Sequence, residues 1–198
     1  GARTANGRVS VLAYVEGEED FVDVNGNNIY DAGDSFTDLG RAFRDDNGNV
    51  VLGANGVYDT GEFEVPRVNV SACTAAAGCV GDGVWGAADV RAQGTIIFAT
   101  SGAVIRGAIA GNALNFTIAD GNGNSMPTGS TVEVTGAVGN SSGSWLTCNI
   151  QSNSSFAIAN TVAPTITSSQ FLCDSGDILT VKVTSPTGVT TSQGFIVP

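Results

Sequence analysis

The chain has 198 residues and a mass of 20.0 kDa, with 19 acidic and 8 basic side chains, no histidine and a net charge of -11. That length supports one or two compact domains. The charge excludes a phosphate-neutralising surface, so no nucleic-acid partner is expected. The absence of histidine excludes His-based triads, His-ligated zinc and His-ligated haem.

No apolar run approaches the ~20 residues needed to cross a bilayer, and no membrane insertion is expected. The opening Gly1-Ala2-Arg3-Thr4 carries no signal-peptide pattern and reads as the start of a mature fragment. Alternating apolar and polar residues predict a first strand at Arg8 to Tyr14.

Residues 16 to 64 follow, with 13 of the 19 acids and two basic residues, Arg41 and Arg44. All the net charge therefore lies there, because the remaining six acids balance six bases. A disordered acidic tail would be poor in aromatics. This segment instead holds Phe21, Tyr30, Phe36, Phe43, Tyr58 and Phe63, a pattern that predicts short segments packing inward and presenting oxygen outward.

Two copies of one motif occupy the segment. The first runs from Asp23 to Asp34 and puts oxygen-bearing side chains at loop positions 1, 3, 5, 9 and 12: Asp23, Asn25, Asn27, Asp31 and Asp34. Ile29, at position 7, offers its backbone carbonyl. Calcium takes six to eight oxygen ligands in flexible geometry, which this spacing suits, whereas magnesium keeps several waters. The glycine at position 4 instead of position 6, and the absence of flanking helices, make the loop EF-hand-like without being an EF-hand.

The second copy starts at Asp45 and ends at Glu62; its head is offset by 22 residues and its tail by 28, so it contains an insertion. If the insertion bulges out, Asp45, Asn47, Asn49, Asp59 and Glu62 close a second cage. Otherwise Asp46 or Asn55 substitutes. Glu18, Glu19, Asp20 and Asp38 are further candidates for either shell. Without a metal, Asn-Gly-Asn reads simply as a tight turn.

A strand is next predicted at Val65 to Val70. Four cysteines allow three pairings. Cys73 with Cys79, closing a small loop, and Cys148 with Cys173, linking two strands, is the expected set, with four buried thiols as the alternative. Disulfides imply an oxidising, extracellular compartment. Gly81-Asp82-Gly83-Val84-Trp85 reads as a turn into a buried tryptophan, with Asp82 a minor ligand candidate, and Ala87 to Arg91 as one helical turn.

Further strands are predicted at Gly94 to Thr100, Ala113 to Ile118, Thr131 to Thr135, Ser155 to Ala159, Ile178 to Thr184 and Gly194 to Val197. With 27 glycines, about twice the usual ~7%, the turns are glycine-rich and the class is all-β, an Ig-like β-sandwich with a loop-rich calcium-binding region. A composition shift near residue 100 divides the chain into a β-rich domain at 1–104, carrying the acidic loops, and a sandwich at 105–198.

The Asp-x-Asn-Gly-Asn-x-x-Tyr-Asp copies, Gly83-Val84-Trp85 before Thr95-Ile96-Ile97-Phe98, and Asp120-Gly121-Asn122-Gly123-Asn124-Ser125-Met126-Pro127-Thr128-Gly129-Ser130-Thr131-Val132 together resemble bacterial surface proteins with tandem Ig-like domains. Those are similar to the invasin and intimin adhesins. Ser125 departs from the proline common at its place. Trp145 precedes both Cys148 and Cys173, so the Cys-Trp-Cys order of antibody domains is missing.

The resemblance implies an extracellular, elongated, non-catalytic role at the bacterial cell surface. The expected partners are other copies or neighbouring Ig-like domains, and a host or surface receptor or a glycan. One alternative is a filament subunit, with Gly7 to Val15 completing a neighbour's sheet. Another is a carbohydrate-binding module. An enzyme is not expected, since Asp82, Asp89, Asp120, Glu133, Asp174 and Asp177 form no recognisable acid pair and Lys182 is the sole lysine.

Overall fold

The computed structural model describes residues 6–46, 55–139 and 147–198. The described residues contain no helix and form several small antiparallel sheets, an all-β fold. Two compact units divide the chain: Arg8–Ile96, and Ile97–Pro198 together with Gly7 ahead of the first strand.

The N-terminal unit contains β1 (Arg8–Glu18), β2 (Phe21–Val22), β3 (Ser35–Phe36), β4 (Phe43–Arg44), β5 (Phe63–Glu64) and β6 (Ala87–Ile97). β1 pairs with β6, and the ribbon ends are closed by Phe98 N–H to Gly7 O and Glu19 N–H to Gly86 O, which makes it antiparallel. Residues alternate across this ribbon. Val9, Val11, Val15, Val90 and Ile96 are all exposed. Arg91 and Gln93 are half-buried and bond to the backbone of Phe43 and Asp45.

Two-residue pairings β2–β3 and β4–β5 close the bases of the two acidic loops. Strands this short do not persist alone. Their aromatic residues supply the missing contacts, as described below.

The second unit contains β7 (Ala103–Ala110), β8 (Ala113–Asp120), β9 (Thr131–Ala137), β10 (Asn149–Ile150), β11 (Ser155–Ala157), β12 (Thr165–Leu172), β13 (Ile178–Thr184) and β14 (Thr190–Ile196). Two four-stranded sheets, ordered β10-β12-β8-β7 and β11-β9-β13-β14, form a β-sandwich. Leu114, Phe116 and Ile118 of β8 and Phe171 of β12 meet Val132 and Val134 of β9 and Leu179, Val181 and Val183 of β13 in one core. Each large side chain so buried contributes roughly 1.5–3 kcal/mol. Lys182, outward on β13, pairs with Glu133 opposite it at 2.5 Å.

Both expected disulfides form, Cys73–Cys79 and Cys148–Cys173. The second joins the residue before β10 to the residue after β12, on neighbouring strands of one sheet.

Several expected elements differ. Val65 to Val70 is not a strand: Pro66 has no N–H to donate, Asn69 adopts φ 67°, and Val65 N–H bonds instead to Ala42 O. Ala87 to Arg91 is the start of β6, not a helical turn: β6 pairs with β1, and Glu19 N–H bonds to Gly86 O just ahead of it. The Gly94 to Thr100 strand ends at Ile97, that at Ser155 ends at Ala157, and Gly194 to Val197 is the end of the longer β14.

The pattern misses β7 and β12. β12 turns Ser169 and Phe171 inward and leaves Ile166 outside, which inverts the usual signal. The units divide at Ile96–Ile97 and not at 104, since Phe98 and Thr100 bond to Gly7 and to Asp120.

Gly136 on β9 lies so close to the second disulfide that a Cβ there would sit 2.5 Å from both the Cys148 carbonyl oxygen and its sulfur. Gly136→Ala is expected to lower stability by about 1–3 kcal/mol in urea unfolding. Gly102→Ala, where a Cβ meets nothing within 4 Å, serves as the control. Equal midpoints for the two variants would refute this packing.

Candidate metal centre

Both acidic loops are built by the same hydrogen bonds, though they differ in length. In the first, the opening Asp23 accepts the N–H groups of Gly26, Asn27 and Asn28. The closing Asp34 accepts those of Val24 (2.9 Å) and Asp31 (3.0 Å). Asn25 and Asn27 donate their side-chain amides to Asp31, and Asn27 Oδ1 accepts Ile29 N–H at 2.7 Å.

The second loop repeats the scheme. Asp45 accepts the N–H groups of Asn55 and Gly56. Glu62 accepts those of Asp46 (2.7 Å) and Asp59 (2.9 Å). Asn55 donates to Asp59 at 3.0 Å, as Asn27 donates to Asp31 at 2.8 Å, and its Oδ1 takes Val57 N–H at 2.8 Å.

These correspondences put Asn55 where Asn27 stands, with Val57 answering Ile29. Asn55, one of the alternatives left open by the spacing, thus takes the place of Asn27 in the hydrogen-bond scheme, whereas Asn47 and Asn49 lie outside the described residues. Backbone shape agrees: Asn28 (φ 59°) answers Gly56 (φ 85°), and Gly33 (φ 115°) answers Gly61 (φ 96°). Asparagine tolerates this left-handed region. It fills the sixth position in the first loop, the place where the sequence lacked a glycine.

Aromatic pairs hold each loop in place. Phe21 meets Tyr30 edge-on at 5.8 Å, and Phe43 meets Tyr58 edge-on at 5.6 Å. Trp85 stacks on Tyr30 at 4.9 Å and donates its indole N–H to Glu19 O. The tryptophan is half-buried, less covered than expected.

Behind the second loop, Gln93 exchanges two bonds with the Asp45 backbone and Arg91 sits 3.5 Å over the Phe43 ring. Burial pushes the Arg91 guanidinium pKa down, and Asp45 and Glu62 pull it back up. The sequence reading missed both residues, and their one signal was shared parity on a strand.

The remaining candidates have structural tasks. Glu19 accepts Leu39 and Gly86 N–H groups, Asp38 accepts Gly83 N–H, Asp82 accepts Val84 N–H, and Asp46 pairs with Arg44 at 2.6 Å. Glu18 is exposed at the end of β1, and the Asp20 carbonyl accepts Thr37 N–H.

The donor types suit a hard cation, although neither Asp23, Asp31 and Asp34 nor Asp45, Asp59 and Glu62 bring three carboxylate ligand atoms within 4.8 Å of one another. In the first loop Asp23, Asn25, Asn27, Ile29 O, Asp31 and Asp34 supply six oxygens, the lower bound for calcium. Asp34 Oδ1 and Oδ2, Asn25 Oδ1 and Asn27 Oδ1 each accept one N–H and retain a second lone pair, whereas Asp23 Oδ1 and Asp31 Oδ2 each accept two donors. Among the described residues, one set of three Cys, Asp or Glu ligand atoms lies within 4.8 Å of one another, Cys148, Cys173 and Asp177. Its sulfurs are spent in the disulfide, and Asp177 accepts the N–H groups of Gly139 and Asp174.

Comparison of the chain with protein families, curated proteins and solved structures finds no match. No helix among the described residues is long and apolar enough to cross a membrane.

Asn28 N–H, followed by other backbone donors of the loop, holds the Asp23 carboxyl below its ordinary value of 3.8, with partial burial opposing. A lowered folded pKa adds stability that is complete above the unfolded value and disappears as pH falls through the folded one. The amides of Gly26, Asn27 and Asn28 should therefore be fully protected from exchange above pH 3.8 and lose that protection only as pH falls further, through the lowered folded pKa. Asp23→Ala should abolish that protection at neutral pH while leaving Gly56 unchanged. NMR hydrogen exchange measures both, and protection surviving in the variant would refute the role given to Asp23.

Proposed function

We propose that the chain is a non-catalytic structural or adhesion module of an extracellular bacterial surface protein, stabilised by calcium in its two acidic loops. The repetition of one hydrogen-bond scheme at loop positions 1, 2, 5, 6, 7, 9 and 12 carries this reading. Two tight turns have no reason to share a closing acid that clamps the same two N–H groups. A pair of ion cages does.

Asp23, Asn25, Asn27, Asp31, Asp34 and the Ile29 carbonyl would hold the first calcium. Asp45, Asn55, Asp59, Glu62 and the Val57 carbonyl belong to the second. The ion supplies positive charge and no reaction. Two ions would cancel four of the eleven net negative charges, and with Kd values of about 10⁻⁴ to 10⁻³ M, millimolar calcium adds on the order of 1 kcal/mol per site.

Strand order supports the Ig-like reading of the second unit. β7-β8-β12-β10 against β9-β13-β14 follows the chain order of the ABED and CFG sheets, with β11 added beside β9. Paired cysteines favour an oxidising location. The exposed apolar face of the β1–β6 ribbon suits a neighbouring module or second copy.

The alternatives are less well supported. β1 pairs with β6 within the chain, which weighs against its serving as a donor strand for a filament. Phe21, Tyr30, Phe36 and Trp85 pack on one another and form no flat platform for a glycan. Lys182 is committed to Glu133.

Calorimetric titration should find two calcium sites per chain, reduced to one by Asp34→Ala and separately by Glu62→Ala. Thermal melting should shift upward by several degrees in millimolar calcium, and excess chelator should reverse it. Identical melting curves with calcium and with chelator would overturn the proposal.

A further inference from the structure

The chain carries Asn-Gly steps at 6, 25, 47, 55 and 122. Such a step is chemically unstable because the glycine, lacking a side chain, lets its backbone nitrogen reach the asparagine carbonyl carbon. The glycine N–H loses its proton to solvent, the nitrogen bonds to asparagine Cγ, and ammonia leaves. Water then opens the five-membered imide to aspartate or isoaspartate. The attacking N–H must be free to lose its proton, and the amide free to turn toward it.

Three of the steps differ in both respects. Gly26 N–H donates to the Asp23 carboxylate at 2.7 Å, and Gly56 N–H to the Asp45 carboxylate at 2.6 Å. A carboxylate holds a donor more strongly than a neutral carbonyl does. The asparagine amides are pinned as well, Asn25 between Asn27 N–H and Asp31, Asn55 between Val57 N–H and Asp59.

At the third step, Gly123 N–H donates to the neutral Asp120 carbonyl at 3.1 Å. Asn122 is exposed, and its side-chain amide makes no hydrogen bond among the described residues.

We infer that Asn122 is a spontaneous deamidation site, and that the carboxylate cages hold the same dipeptide inert at Asn25 and Asn55. The product has structural consequences. Asp120 is fully buried and accepts the N–H groups of Thr100, Asn122 and Asn124. Asn124 in turn donates its amide to Asn6 O at 2.7 Å. An isoaspartate at 122 lengthens the backbone inside this turn and sets a new negative charge next to Asp120, so the tie to Asn6 is loosened.

The test ages the full, disulfide-bonded chain at mildly alkaline pH in excess chelator, with a parallel sample unfolded in concentrated guanidinium. Peptide mass spectrometry follows the three sites. In the folded chain Asn122 should convert roughly tenfold faster than Asn25 or Asn55, the ratio that about 1.4 kcal/mol of hydrogen-bond protection produces. In guanidinium the three rates should converge. Conversion of Asn25 or Asn55 as fast as Asn122 in the folded chain would overturn the inference, and so would a ranking that persists unfolded. Chelator makes the outcome independent of calcium binding.

Discussion

The structure depends on carboxylates accepting backbone N–H groups. Long stretches of this protein are neither helix nor ladder, and an N–H in them that is shielded from water needs an acceptor. Asp23, Asp34, Asp45 and Glu62 provide it in the acidic loops, Glu19 and Glu64 where the loops meet the rest of their unit, and Asp120 and Asp177 inside the sandwich. These are charge-assisted bonds, roughly twice as strong as neutral ones. Short strands and glycine-rich turns become tolerable because acids tie them together.

The negative charge therefore has two roles. In the second unit it is nearly invisible from outside: Asp120 and Asp177 are fully buried, and each pins a turn at a strand end. In the first unit the acids are concentrated at two loops, where a carboxylate that already fastens the backbone retains a lone pair for a cation. Those N–H donors fix the shape of both loops without flanking helices. The aromatic pairs Phe21–Tyr30 and Phe43–Tyr58 orient the loops as flanking helices would.

Much of this was legible in the sequence, because the signals were local. Alternation in β8, β9 and β13 places their core residues directly. The spacing of Asp23, Asn25, Asn27, Asp31 and Asp34 is a one-loop property. The six aromatics among the acids ruled against disorder, and five of them, Phe21, Tyr30, Phe36, Phe43 and Tyr58, pack against other rings while Phe63 stays exposed. β12 was illegible since its inward side is Thr165, Thr167, Ser169 and Phe171 while Ile166 faces out. β6 was mistaken at its start because Ala87 and Ala88 are helix formers in isolation, and the partner that makes them a strand is more than 60 residues away in β1.

By itself the sequence determined the all-β class, the location of the charge and the two motifs, all of which follow from composition or spacing within about thirty residues, while the structure selected one of the three cysteine pairings it allowed. Only the tertiary structure decided that Asn55 takes the place of Asn27 in the second loop's hydrogen bonds, that Gln93 and Arg91 contact that loop, and that the Asn-Gly N–H meets a carboxylate at 25 and 55 but a backbone carbonyl at 122. Those outcomes depend on which acceptor each N–H finds. For Asp45 and Gln93 the partners lie 48 residues apart, and only folding brings them together.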